Sequence, residues 1–318
     1  VTSWLRGKIF IYKNLLGGIF AMKLNQYVSS AVVIFFAISL TSCVTLGKSK
    51  KQEVKKMNKP QQTNPALSDE VKLYPVDGRN FSPVDKFLAR ATPVLDDAES
   101  DLNPYVLKVI DAYPLGTGEY SYRCKPLEYD KYLGVTQNLF YQGRIVARAH
   151  PNGTRCSYCC GLTFEILYRA MKLRNMQKGI DPDNFNNMSF YDLFNLLQLW
   201  YIEGEDDSPQ KGIEFYGLGK KITNWDEAKS GDFCDFSRNN SSGHSVIFIR
   251  WVKNPEGKIT GLEYFSSNSR GVGYLTEYFS DTGGKILRDL VHLARVGSIE
   301  NYKQFDRSII PLRQAYAP

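Results

Sequence analysis

Residues 231–296 constrain the fold more than any other part of this 318-residue chain. The runs "GDFCDF", "HSVIFIRWV", "ITGLEYFS" and "GVGYLTEYF" are rich in β-branched and aromatic residues, and turn signals such as "NPEGK" separate them. Both faces of the run that begins at His244 are apolar, as a central strand requires. The closing run, "ILRDLVHLARV", fits a helix or a strand and is read as a strand. Upstream the spacing is helical, over residues 83–94 and 104–113, the latter with Pro in its first turn. The main helical pattern covers residues 158–177 and is closed by Gly179. Another helix opens at Ser189, a good N-cap, in "SFYDLFNLLQLWY". Residues 116–153 are aromatic and turn-rich without a clean period, and "EGEDDSPQKG" reads as a loop. Helices first and an antiparallel sheet afterwards is an α+β arrangement.

The N-terminal part has a different character. From Met22 the sequence "MKLNQYVSSAVVIFFAISLTSC" offers one lysine, an apolar run over residues 28–40 and small residues at its exit. That is the pattern of a secretory signal, and the run is shorter than the roughly 20 residues that span a bilayer as a helix. Residues 1–21 read as an upstream extension. Residues 43–75 are lysine-rich without apolar periodicity and read as a solvated tether, leaving 76–318 to fold, with 76–150 as its N-terminal helical portion. Of the net charge of +7, +4 belongs to residues 1–42 and +5 to residues 43–60, so the remainder carries about −2. The basic balance therefore gives no argument for nucleic-acid binding.

Chemistry concentrates in "RCSYCCGLTFEILY", where Cys156, Cys159 and Cys160 crowd the start of the main helix. With Ser157 as cap, Cys159 and Cys160 fall in the first turn. Unpaired N–H groups and the positive end of the helix dipole stabilise a thiolate there. Both thiols lie within one broad apolar stripe, so helix geometry does not choose between them. A thiolate needs a base, and the chain has three histidines. His150 sits in the loop-like "ARAHPNG", His292 in the ambiguous last run, and His244 opens a strand. Three other uses of the thiols remain open. They are a zinc site with Cys234 or a histidine, a "CSYC" redox pair, and a disulfide from Cys156 to Cys124 or Cys234. No second pair of metal ligands and no βαβ context accompany them. Cys234, in a strand, reads as a buried small apolar residue.

The order of these motifs resembles the NlpC/P60 superfamily of papain-like cell-wall hydrolases, over about residues 110–296. "CCGLTFEILY" is similar to that family's Cys-Ser-Gly-Leu-Val helix start, "EAKSGDFCDF" to its Pro-Gly-Asp strand, and "GHSVIFIRW" to its His-Val-Gly-Ile-Tyr strand. "YFSSNSRGVGY" resembles the strand and turn that supply the family's third polar residue. The exit "LTSC" resembles a lipobox, which makes Cys43 the lipidation site.

The resemblance implies a papain-like α+β domain whose nucleophile helix packs on an antiparallel sheet. It implies Cys159 as nucleophile, with its backbone N–H in the oxyanion hole, and His244 as base. Asn268 is taken as the orienter, because an amide oxygen accepts the ring N–H, with Ser266 and Ser267 as rivals. The implied substrate is an amide bond in peptidoglycan stem peptides, cut without metal or organic cofactor. The alternative is an inactive binding lipoprotein of the same fold. Lipid on Cys43 implies membrane attachment, and Val44 after it favours the outer membrane, facing the periplasm. The family's aspartate before its cysteine is replaced here by Tyr158.

Overall fold

A computed structural model describes residues 83–88, 101–116, 120–122, 132–151, 153–201, 207–297 and 299–306, all within the unit Ser68–Pro318. The signal, the tether, Cys43, Cys124 and residues 89–94 of the first expected helix lie outside the described residues. Within them run α1 (Pro83–Leu88), α2 (Asn103–Ile110), β1 (Leu139–Tyr141), β2 (Arg144–Ala147), α3 (Cys159–Gln177), α4 (Phe190–Trp200) and α5 (Ser208–Phe215). Strands β3 (Gly219–Ile222), β4 (Phe233–Arg238), β5 (Gly243–Lys253), β6 (Ile259–Asn268), β7 (Gly271–Tyr278) and β8 (Ile286–Val296) follow. They form one antiparallel sheet in the order β3-β8-β4-β5-β6-β7. The arrangement is α+β, and the run "ILRDLVHLARV" is a strand.

Three elements depart from the sequence reading. The segment read as a loop over residues 203–212 contains the start of α5, with Pro209 in its first turn. Serine followed by proline suggests a turn, yet proline at that position only lacks an N–H that a helix would leave unpaired anyway. Tertiary packing holds α5 in place. Gly212 lies against Leu196 and Leu199 of α4, where a Cβ would come within 2.9 Å of the Leu196 side chain. The short strand β3 was not anticipated. Nor was the hairpin β1–β2, which turns at Gln142 and Gly143, both with positive φ.

Helix α3 packs on β5 and β6 and is the centre of the fold. Leu162, Phe164, Ile166, Leu167, Ala170, Met171 and Leu173 are all buried, so apolar contacts surround it on nearly every side. It ends as the sequence suggests: Gly179 has φ +68°, and Ile180 N–H donates to Asn175 O at 2.8 Å.

A helix buried all round must satisfy its polar side chains internally. Glu165, with no exposed surface, accepts from Tyr113 Oη (2.9 Å), Thr136 N (2.6 Å), Thr136 Oγ1 (2.7 Å) and Arg169 Nε (2.8 Å). Arg169 Nη1 continues the chain to Asp85 on α1 at 2.5 Å. This network fastens the N-terminal helical portion to α3. On the opposite face of the sheet, a second apolar layer includes Phe236, Val246, Phe248 and Tyr264.

Candidate active site

Helix α3 begins at Cys159, capped by Tyr158 in an extended conformation with no side-chain capping bond. Ser157, the expected cap, is instead turned to the sheet, where its hydroxyl donates to Ser267 Oγ at 2.8 Å. The first turn is held by backbone contact. Tyr158 N–H donates to Gly134 O at 3.2 Å. A Cβ on Gly161 would stand 2.3 Å from that same carbonyl oxygen, so the glycine of "CCGL" is required by close approach. Gly134 has φ +65°, and a Cβ there would meet the Tyr158 ring at 2.4 Å. Tyr158 is buried between Tyr132 and Tyr201, with ring centroids at 5.6 and 6.1 Å. The residue that replaces an aspartate in the resembled family is thus a packing residue.

Cys159 and Cys160 are both free and half-buried. Their environments differ. The Cys160 thiol donates a hydrogen bond to the Cys159 sulfur, and the His244 side chain and the Ser245 backbone N–H also bond that sulfur. Together with the nearby imidazole charge these hold the Cys159 thiol well below its ordinary range, against the opposing effect of burial. Cys160 is pushed up by the same shared bond, by burial and by the charge of Asp235. The tertiary environment thus distinguishes two thiols that helix geometry left equivalent, and it favours the thiolate at Cys159.

His244 is buried at the start of β5, edge-on to Phe236 and Tyr264 with ring centroids at 5.8 and 5.5 Å. Its Nε2 lies 2.9 Å from Ser266 Oγ, which leaves Nδ1 for the thiol. Asn268, the expected orienter, is not brought to the ring. It occupies the last position of β6, where its Oδ1 accepts from Arg270 N at 2.9 Å and closes the turn into β7. Strand alternation decides among the three polar residues. Ser266 shares the face of Tyr264 and His244, whereas Ser267 points to the other face and meets Ser157.

The other singled-out residues lie apart from this cluster. Cys156 is disulfide-bonded and Cys234 is free and buried, so those two do not pair. His150 is buried against the Tyr132 ring at 4.7 Å, and His292 sits on β8 opposite Asp235. Among the described residues no group of three or more histidine, cysteine or acidic side chains is placed to hold a metal. Asp232 of the "GD" motif has a structural position: it takes both Arg295 Nε and Nη2 at 2.8 Å, and Asn103 Nδ2 at 2.8 Å. No sequence signal pointed to Cys160 as a donor to Cys159, nor to the aromatic rings that flank His244.

The chain matches no protein-family profile, no curated protein and no solved structure. Its functional reading rests on the geometry of this cluster. Cys159, His244 and Ser266 form a linked series of thiol, imidazole and hydroxyl, at a helix N-terminus whose first N–H groups lack intrahelical acceptors. Such a series can generate a thiolate–imidazolium pair, attack a carbonyl carbon and receive the resulting negative charge.

Proposed function

We propose that this protein is a cysteine hydrolase of amide bonds with a papain-like, NlpC/P60-type domain, acting on the stem peptides of peptidoglycan. The observation that carries the reading is the hydrogen-bonded pair of Cys159 and His244, with Ser266 on the far ring nitrogen. In this mechanism the Cys159 thiolate attacks the amide carbonyl, forming an S–C bond and a tetrahedral oxyanion. The backbone N–H of Cys159, in the first turn of α3, donates to that oxygen. Collapse breaks the C–N bond as His244 gives its Nδ1 proton to the leaving amine. A water molecule, deprotonated by His244, then attacks the thioester, releases the carboxylic acid and restores the thiolate. Ser266 accepts from Nε2–H while the ring is charged and keeps its plane fixed.

Export and attachment through lipid on Cys43, at the outer membrane facing the periplasm, belong to the same proposal. The disulfide at Cys156 supports an oxidising compartment. The substrate class rests on the motif resemblance, and tethering near the wall is consistent with it.

The experiment compares muropeptides incubated with the wild-type chain and with Cys159→Ala, read by mass spectrometry. New cleavage products that require Cys159 are expected. Identical product profiles would instead favour a binding lipoprotein that keeps this fold without hydrolysis.

A further inference from the structure

A groove of about 630 Å³ opens beside the His244 end of the sheet, lined among others by Arg238, Ser242, Asn268, Arg270, Glu277 and Lys285. It adjoins the candidate site through Tyr264, which bonds the groove-lining Glu277 and packs against His244. Asn268 lies two positions beyond Ser266 on β6, and Ser242 two positions before His244. Arg238 and Glu277 form an ion pair, with Nη2 to Oε1 at 2.5 Å and Nε to Oε2 at 2.8 Å. The Tyr264 hydroxyl also donates to Glu277, and the Tyr264 ring packs edge-on against His244.

The charges in the groove do not cancel. Glu277 is matched by Arg238, while the exposed side chains of Arg270 and Lys285 have no acidic partner among the described residues. Two unmatched cations thus face one cavity in a chain whose residues 61–318 carry about −2. The turn that presents Arg270 is pinned, since Asn268 Oδ1 accepts from Arg270 N at 2.9 Å. Lys285 is likewise anchored by its backbone, donating to Tyr278 O at 3.0 Å. Fixed backbones that direct two cations into a groove next to the His244 side of the site make a recognition element for an anion on the substrate.

We propose that Arg270 and Lys285 bind a substrate carboxylate, so that the site selects peptides bearing a free carboxyl group near the scissile amide. The proposal rests on the hydrolase reading and specifies its substrate. Arg238 and Glu277 form the floor of this subsite, and their mutual pairing keeps Glu277 from repelling the incoming carboxylate. Asn268, set apart from the imidazole, acts here by shaping the turn that carries Arg270.

The test measures binding of stem peptides released from peptidoglycan, and of the same peptides with their carboxyl groups converted to amides. The protein is the full chain carrying Cys159→Ala, which binds without turnover. Each peptide set is titrated by calorimetry with and without the pair Arg270→Glu and Lys285→Glu. A second pair, Arg270→Gln and Lys285→Gln, guards against misfolding from charge reversal. Amidation and charge reversal should each weaken binding by roughly tenfold or more, and their effects should not add, because both remove one interaction. Reversal should leave binding of the amidated peptides unchanged. Equal weakening of both peptide sets, or no effect of amidation, overturns the proposal. If carboxyl-dependent binding is present but wild type cleaves nothing, the groove stands and the hydrolase reading fails. If wild type cleaves acidic and amidated peptides equally well, hydrolysis stands and the groove proposal fails.

Discussion

Ser266 Oγ lies 2.9 Å from His244 Nε2, joining neighbouring strands through a side-chain bond buried in the sheet. This bond sets the direction of the imidazole and leaves its other nitrogen for Cys159. Ser266→Ala removes one hydrogen bond to the charged ring, worth about 1.5 to 3 kcal/mol, so hydrolysis should slow by roughly 10- to 150-fold. Asn268→Ala should leave the turnover number nearly unchanged, because Asn268 bonds the turn and not the ring. Steady-state kinetics on the same substrate check both, and a larger turnover loss in the Asn268 variant would reverse the assignment.

The depressed Cys159 thiol should be visible without any substrate. An unperturbed thiol, with a pKa of about 8.5, is almost wholly protonated at pH 6. Iodoacetamide at about pH 6 should therefore label Cys159 well ahead of Cys160 and Cys234, whose thiols are pushed up by burial and nearby negative charge. His244→Ala should remove most of that advantage, and peptide mapping by mass spectrometry reads the outcome. Equal and slow labelling of Cys159, Cys160 and Cys234 would argue against a thiolate at this position.

Gly161 faces the Gly134 carbonyl so closely that an added methyl group would sit 2.3 Å from its oxygen. Backbone on both sides leaves little room to yield. Gly161→Ala should cost about 1 to 3 kcal/mol of stability despite the better helix propensity of alanine. It should also slow Cys159 labelling, because the first turn must shift. Denaturant unfolding and the labelling assay measure the two effects. A variant as stable as wild type would show that the loop carrying Gly134 is not held against α3.

Glu277 provides a pH signature. Burial acts to raise its carboxyl pKa, but the Arg238 and Tyr264 hydrogen bonds and the charges of Arg238 and His244 outweigh it and hold the group below its ordinary value. A carboxyl depressed in the folded state adds stability above its unfolded pKa of about 4.3, and that contribution is lost as the pH falls through the lower folded value. Glu277→Gln should thus lower the melting temperature at about pH 7, and the gap to wild type should narrow as the pH falls through about 4 to 3. A gap that stays constant over this range would mean that the carboxylate charge adds nothing.

Several of these relationships could not be read from the chain. Tyr158 stands where the resembled family has a polar residue, yet two aromatic neighbours distant in sequence bury it. Nothing in residues 156–161 announces Tyr132 or Tyr201. Ser157 has the composition of a helix cap but is drawn to Ser267, because a cross-element bond competes with the local one. Strands β1 to β3, at three or four residues each, are too short to show a period.

What the sequence determined by itself was the α+β order, the central strand that begins at His244, and the helix that begins at the cysteine pair. These depend on apolar periodicity sustained over many residues, which is a local property. The tertiary structure decided which thiol meets the imidazole, which of three polar residues meets its far nitrogen, and which cations line the neighbouring groove with Glu277. Each of these turns on a shift of one residue, and a one-residue shift in a strand exchanges its two faces. The pairing of β5 with β6 sets which face His244 shares with Ser266, and the packing of α3 against the sheet sets which sulfur reaches it.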